Sequence, residues 1–106
     1  MASIGVIGSG TWGTALAVLL ADKGYPVVIW SAIHEEALSL SESRRHPNLP
    51  GIAIAETIEI TENLEQAMKD KDLLVMAVPS VFVRQTAAKM KPWCRDGQIV
   101  VNVAKG

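Results

Sequence analysis

The sequence predicts an α/β fold in three layers, a parallel sheet enclosed between helices. Three observations carry that expectation. The apolar run Ile4-Gly5-Val6-Ile7 leads directly into Gly8-Ser9-Gly10-Thr11-Trp12-Gly13, a G-x-G-x-x-G turn, and a helical pattern follows it. Apolar runs and helical stretches then alternate along the chain, the order expected of β-α units. The leading strand candidates are continuously apolar rather than alternating, as strands covered on both faces require.

Each element has its own signal. After the first strand, Leu16, Ala17 and Leu20 share one helical face, which Ala21 continues, and Gly24 just past Lys23 marks the helix end. Pro26-Val27-Val28-Ile29-Trp30 is the second strand, with Pro26 tolerated at its first position. Ile33–Leu40 reads as a short helix with Ala37 and Leu40 on its inner face. Residues 41–51 hold two prolines, a glycine and several polar residues, and form the clearest loop. Its length suggests function. Thr57–Ile60 is a short strand, and Thr61 is placed to cap a helix over Glu62–Lys69 that carries Leu64 and Met68. Leu73–Val78 is a strong strand that ends at Pro79. Ser80 is placed to cap a helix over Val81–Met90. Trp93–Gly97 is a turn region, and Gln98–Val103 is a last, buried strand.

Composition excludes several classes. A chain of 106 residues suits one domain, and 49% hydrophobic with 20% charged residues is ordinary for a globular core. A net charge of −1 gives no reason to invoke nucleic acid or an anionic membrane surface. No window approaches the roughly 18 apolar residues of a membrane span, and with the first strand starting almost at once no signal peptide is expected. Cys94 is the single cysteine, so an internal disulfide and a cysteine-based metal site are excluded, and a cytoplasmic setting is expected. His34 and His46 are read as surface histidines rather than metal ligands, and Arg44-Arg45 as a solvated loop pair.

The glycine turn has a physical reading. Gly8 permits the tight turn off the strand, Gly10 leaves room for a pyrophosphate at the backbone, and Gly13 lets the helix pack closely on the strand. Amide groups and the positive dipole end at the helix start favour an anion. This is a dinucleotide-binding, Rossmann-type pattern. Right-handed crossovers then give the strand order 3-2-1-4-5. A ligand would lie across the carboxyl ends of strands 1 and 4, which carry Gly8–Trp12 and Pro79–Phe82. No His, Cys, Tyr or paired carboxylate is placed at a strand end to act as a general base. The chain therefore reads as the cofactor-binding part of a two-domain enzyme, with no catalytic residue of its own.

The segments GSGTWGTALA at 8–17, VVIW at 27–30, NLPGI at 48–52, AVPS at 77–80 followed by Phe82, and VNVAKG at 101–106 resemble the N-terminal domain of bacterial NAD(P)-dependent glycerol-3-phosphate dehydrogenases. The resemblance spans essentially the whole chain. It implies that residues 1–106 are an NAD(P)-binding Rossmann domain and that a helical substrate domain is absent from the sequence. The implied activity is reversible reduction of dihydroxyacetone phosphate to sn-glycerol 3-phosphate, a step toward glycerophospholipids, in a homodimer. It also implies that Gly8, Gly10, Thr11, Trp12 and Gly13 form the pyrophosphate turn, and that Pro79 and Phe82 line the nicotinamide side. Lys105 would contact both cofactor and substrate. The family's proton-transferring lysine would lie in the absent domain.

One departure concerns cofactor choice. NAD-preferring domains place Asp or Glu at the end of strand 2, and NADP-preferring ones supply Arg. Here that end reads Trp30-Ser31-Ala32-Ile33-His34, with neither, so modest discrimination between NAD and NADP is expected. Alternatives to the dehydrogenase reading are a nucleotide-sensing module without chemistry and another NAD(P)-dependent dehydrogenase. The terminal Lys105 argues against the first, and the NLPGI loop with the terminal KG against the second.

Overall fold

In the computed structural model, described for residues 2–103, five parallel strands form one sheet in the order β3-β2-β1-β4-β5. The strands are β1 (Ile4–Ile7), β2 (Val27–Trp30), β3 (Glu59–Thr61), β4 (Leu73–Met76) and β5 (Ile99–Asn102). The helices are α1 (Thr11–Asp22), α2 (His34–Ser43), α3 (Leu64–Met68) and α4 (Val83–Met90). The expected strand order is therefore present. In the centre, Ile4 aligns with Val27 on one side and Leu73 on the other, and Ile7 with Trp30 and Met76.

Both faces of β1, β2 and β4 are covered, and this is why their sequences are continuously apolar. Ile4, Val6, Ile29 and Val75 pack with Ala17 of α1 and Leu40 of α2 on one face. Ile7, Val28, Leu74 and Met76 pack with Met68 of α3 and Met90 of α4 on the other. Burying an Ile or Leu side chain is worth about 1.5–3 kcal/mol, so these two clusters dominate the fold's stability. Gly5 faces α3: a Cβ there would stand 2.3 Å from the Ala67 carbonyl oxygen. That contact allows the helix to approach the strand closely.

Several local expectations shift. The end of α1 behaves as expected: Gly24 takes φ 95° and its N–H donates to the Ala21 carbonyl at 2.9 Å. Thr61 does not cap α3. The helix starts later, and Asn63 caps it by accepting from the Gln66 N–H at 3.1 Å. Thr61 instead ends β3, and its hydroxyl accepts from the Asn63 N–H. Ser80 does not cap a helix either. It opens a single 3-10 turn, Ser80–Phe82, that leads into α4, with no side-chain cap. Strand β5 is not buried: Ile99, Val100 and Val101 are 63%, 51% and 42% exposed. It is an edge strand, paired only with β4, and its apolar side chains lie open among the described residues.

The loop after α2 also differs. The helix runs on to Ser43, and Arg44 ends it in the left-handed conformation at φ 55°. Arg44 is not solvated: its guanidinium donates to the carbonyls of Ile58 at 2.5 Å and Ala55 at 3.1 Å. Arg45 is exposed and bridges to Ala53. His46, expected at the surface, is buried, and its Nδ1 accepts from the Asn48 N–H. His34 is exposed at the start of α2, where its Nδ1 pairs with the Glu62 carboxylate.

Candidate functional site

The carboxyl ends of β1, β2 and β4 meet at the glycine turn. Gly8 has φ 131°, and its N–H donates to the Trp30 carbonyl at 3.0 Å. A Cβ on Gly8 would lie 2.8 Å from the Ala77 and Val78 backbone, so glycine is required by both conformation and space. A Cβ on Gly13 would lie 2.5 Å from the Gly8 carbonyl oxygen. The hydroxyl of buried Thr14 donates to the Ser9 carbonyl at 3.0 Å and fixes the turn from below.

Gly10 is different. Its φ of −67° and ψ of −176° are open to any residue, and a Cβ built on it meets nothing within 4 Å. No contact among the described residues explains a glycine here. Gly10 is also the N-cap of α1, where no side chain caps the helix and no acid occupies the first turn. The positive end of the α1 dipole thus faces open space.

That space is a crevice of about 350 Å³. The glycine turn (Gly8, Ser9, Gly10) forms one wall, and the β2 end from Trp30 to Ile33 forms another. Val78, Pro79 and Phe82 close it from the β4–α4 side. Phe82 is 45% exposed, so it lines this crevice rather than filling the core. A second hollow of about 360 Å³ lies on the other side of Gly10, between Thr11 and the loop residues His46, Pro47 and Asn48. There the Asn48 side-chain amide donates to the Thr11 hydroxyl at 3.1 Å.

The residues expected at the site are thus distributed unevenly. Gly8, Gly10, Pro79 and Phe82 line the crevice, and Thr11 lines the adjoining hollow. Gly13 is buried beneath the turn and supports it. Trp12 is 47% exposed on α1 and lines neither hollow. Lys105 lies outside the described residues. Pro79 and Phe82 share their crevice with Trp30–Ile33 at the end of β2.

Sequence reasoning missed Glu36. It lines both hollows, and its carboxylate accepts a hydrogen bond from the Ser9 hydroxyl. The inward pair Ala37 and Leu40 held the signal, since it fixes the register of α2 and places Glu36 beside the glycine turn. Ser31, at the position where an acid was sought, is buried and turned to the backbone of Ile33. Among the described residues no group of three or more His, Cys, Asp or Glu could hold a metal ion, and no helix is long and apolar enough to cross a membrane.

The geometry suits an extended ligand with an anionic centre and a flat apolar end. Gly10 and the α1 N-terminus offer backbone amides and the positive dipole end to an anion, and Ile33 and Phe82 give the crevice an apolar lining.

A glycerol-3-phosphate dehydrogenase (NAD(P)+) from Lactobacillus delbrueckii subsp. bulgaricus is 50% identical over all of this chain, and one from Moorella thermoacetica is 48% identical over 98% of it. This chain spans 32% and 31% of those two relatives, about a third of their length. The crystal structure of glycerol-3-phosphate dehydrogenase from Coxiella burnetii superposes with a TM-score of 0.92 at 27% identity, over 99% of this chain and 33% of that one. An imine reductase from Myxococcus stipitatus, at 19% identity and a TM-score of 0.73, shares the fold alone. The model of the family described as NAD-dependent glycerol-3-phosphate dehydrogenase N-terminus matches residues 3–106, and this chain belongs to that family.

Proposed function

We propose that residues 1–106 are the cofactor-binding domain of an NAD(P)-dependent glycerol-3-phosphate dehydrogenase. The reaction is the reversible reduction of dihydroxyacetone phosphate to sn-glycerol 3-phosphate, which supplies glycerophospholipid synthesis. The observation that carries this reading is the open space over Gly10 at the uncapped start of α1. No contact among the described residues calls for glycine there, whereas a pyrophosphate at the backbone does.

The bound dinucleotide supplies or accepts the hydride. The chain's own residues hold and orient it. The α1 N-terminus, with Gly10 and Thr11, binds the pyrophosphate through backbone amides and the helix dipole. Gly8 and Gly13 hold that turn in shape, and Trp12 flanks it on α1. Ile33, Pro79 and Phe82 clasp the adenine, a placement their shared crevice favours over the nicotinamide side. Lys105 contacts cofactor and substrate, as the family resemblance implies, where its ammonium would attract a phosphate or polarise a carbonyl. The proton for the developing alkoxide comes from outside these residues. We further propose a homodimer acting in the cytoplasm on a small phosphorylated substrate, with no nucleic-acid partner.

The test is NADH oxidation by the protein at its full natural length, screened over dihydroxyacetone phosphate and other carbonyl compounds. Selective turnover of dihydroxyacetone phosphate supports the reading. Binding without turnover of any carbonyl compound indicates a sensor, and turnover of a different one another dehydrogenase. Lys105→Ala should lower kcat/KM by orders of magnitude while cofactor affinity falls much less.

A further inference from the structure

We propose that Glu36 sets the cofactor preference of this protein, selecting NAD(H) against NADP(H). The inference rests on the dinucleotide reading above and adds to it the residue that discriminates. The end of β2 offers no acid: Ser31 is buried and bonded to the Ile33 backbone, and Ala32 and Ile33 carry no polar group. The chain supplies the carboxylate from the next element instead. Glu36, in the first turn of α2, borders the crevice beside Ser9 and Gly10. It also borders the hollow on the other side of Gly10.

Its orientation is held. The Ser9 hydroxyl donates to one carboxylate oxygen and aims the group at the glycine turn rather than at solvent. The second carboxylate oxygen keeps acceptor capacity for a ribose hydroxyl. A phosphate ester at the ribose 2′ position would bring negative charge against this carboxylate. Among the described residues that line the crevice, the β2–α2 side provides no cation to offset it. Lys89, which lines the same crevice, stands on α4.

The experiment is calorimetric titration of the full-length protein with NADH and NADPH, and with 5′-ADP and 2′,5′-ADP as fragments lacking the nicotinamide. Wild type should bind NADH and 5′-ADP at least about tenfold more tightly than their 2′-phosphorylated counterparts. Glu36→Gln and Glu36→Ala should each shift that ratio toward the 2′-phosphorylated ligands by about tenfold. Because Glu36 is on a helix surface, both variants should fold, which circular dichroism checks. A wild-type preference for NADPH, or a ratio that moves less than about threefold in both variants, overturns the role of Glu36 while leaving the dinucleotide site intact. Failure of wild type to bind either dinucleotide overturns both readings together.

Discussion

A Cβ on Gly13 would stand 2.5 Å from the carbonyl oxygen of Gly8, closer than side-chain carbons approach such an oxygen. The first turn of α1 therefore rests directly on the residue that ends β1. Two glycines of the motif serve each other, and the third, Gly10, is left facing empty space. The motif thus divides into residues that shape the turn and one that leaves room for a ligand.

Gly13→Ala should therefore destabilise the protein. The added methyl group must push α1 away from Gly8 and Ala77, and overpacking of this kind costs about 1–3 kcal/mol. Denaturant unfolding of wild type and variant measures it. A midpoint unchanged at constant slope would show that the turn yields freely.

Gly10→Val should do the reverse, leaving stability nearly intact and removing binding. The backbone there is unstrained and the space above it open, so the change in stability stays within about 1 kcal/mol. A side chain over the α1 N-terminus blocks close approach of a pyrophosphate. NADH affinity should fall about a hundredfold, or 2.7 kcal/mol. Unaltered affinity in the folded variant would remove the glycine turn from the site.

These contrasts show what could be read from residues alone. The runs at Ile4–Ile7, Val27–Trp30 and Leu73–Met76 are legible because burial on both faces leaves a continuous apolar signature. The Gly8–Gly13 turn is legible because its spacing is tied to a strand before and a helix after. Thr61 and Ser80 misled, because capping residues are common near helix starts and only the helix register decides which one caps. Strand β5 misled because its apolar run is that of a covered strand, yet nothing described covers it. Glu36 was missed because its role depends on the direction of α2, a tertiary property. Arg44 looked like a loop residue because its acceptors, the carbonyls of Ala55 and Ile58, lie more than ten residues away.

Arg44 gives a third prediction. Its side chain ties the end of α2 to the segment that leads into β3, and so braces the loop that carries Asn48 to Thr11. Arg44→Ala keeps the left-handed backbone of a non-glycine residue and loses only the side chain, which should cost about 1–3 kcal/mol. Arg44→Gly loses the same bonds but relieves the backbone, so it should be about 1 kcal/mol less destabilising than the alanine variant. Thermal unfolding of the three proteins ranks them, and equal stability of alanine and wild type would show that the guanidinium bonds contribute nothing.

The last prediction concerns Ala32 and Glu36 together. Ala32 lines the same crevice as Glu36, at the strand end where an arginine would meet a 2′-phosphate. Ala32→Arg should improve NADPH affinity through a charge-assisted contact. In wild type, however, the new guanidinium has a competing partner, because Glu36 already offers a carboxylate in that crevice. Part of its charge would be spent on Glu36, and the improvement should be limited to about tenfold, near 1.4 kcal/mol. In the Glu36→Gln background the competitor is neutral, and the same Ala32→Arg change should gain about 0.5–1 kcal/mol more. A double-mutant cycle on NADPH affinity measures that difference. Coupling of that size would place both residues around the 2′ position. Strict additivity, within about 0.3 kcal/mol, would separate Ala32 from Glu36 and move the selection of cofactor elsewhere in the crevice.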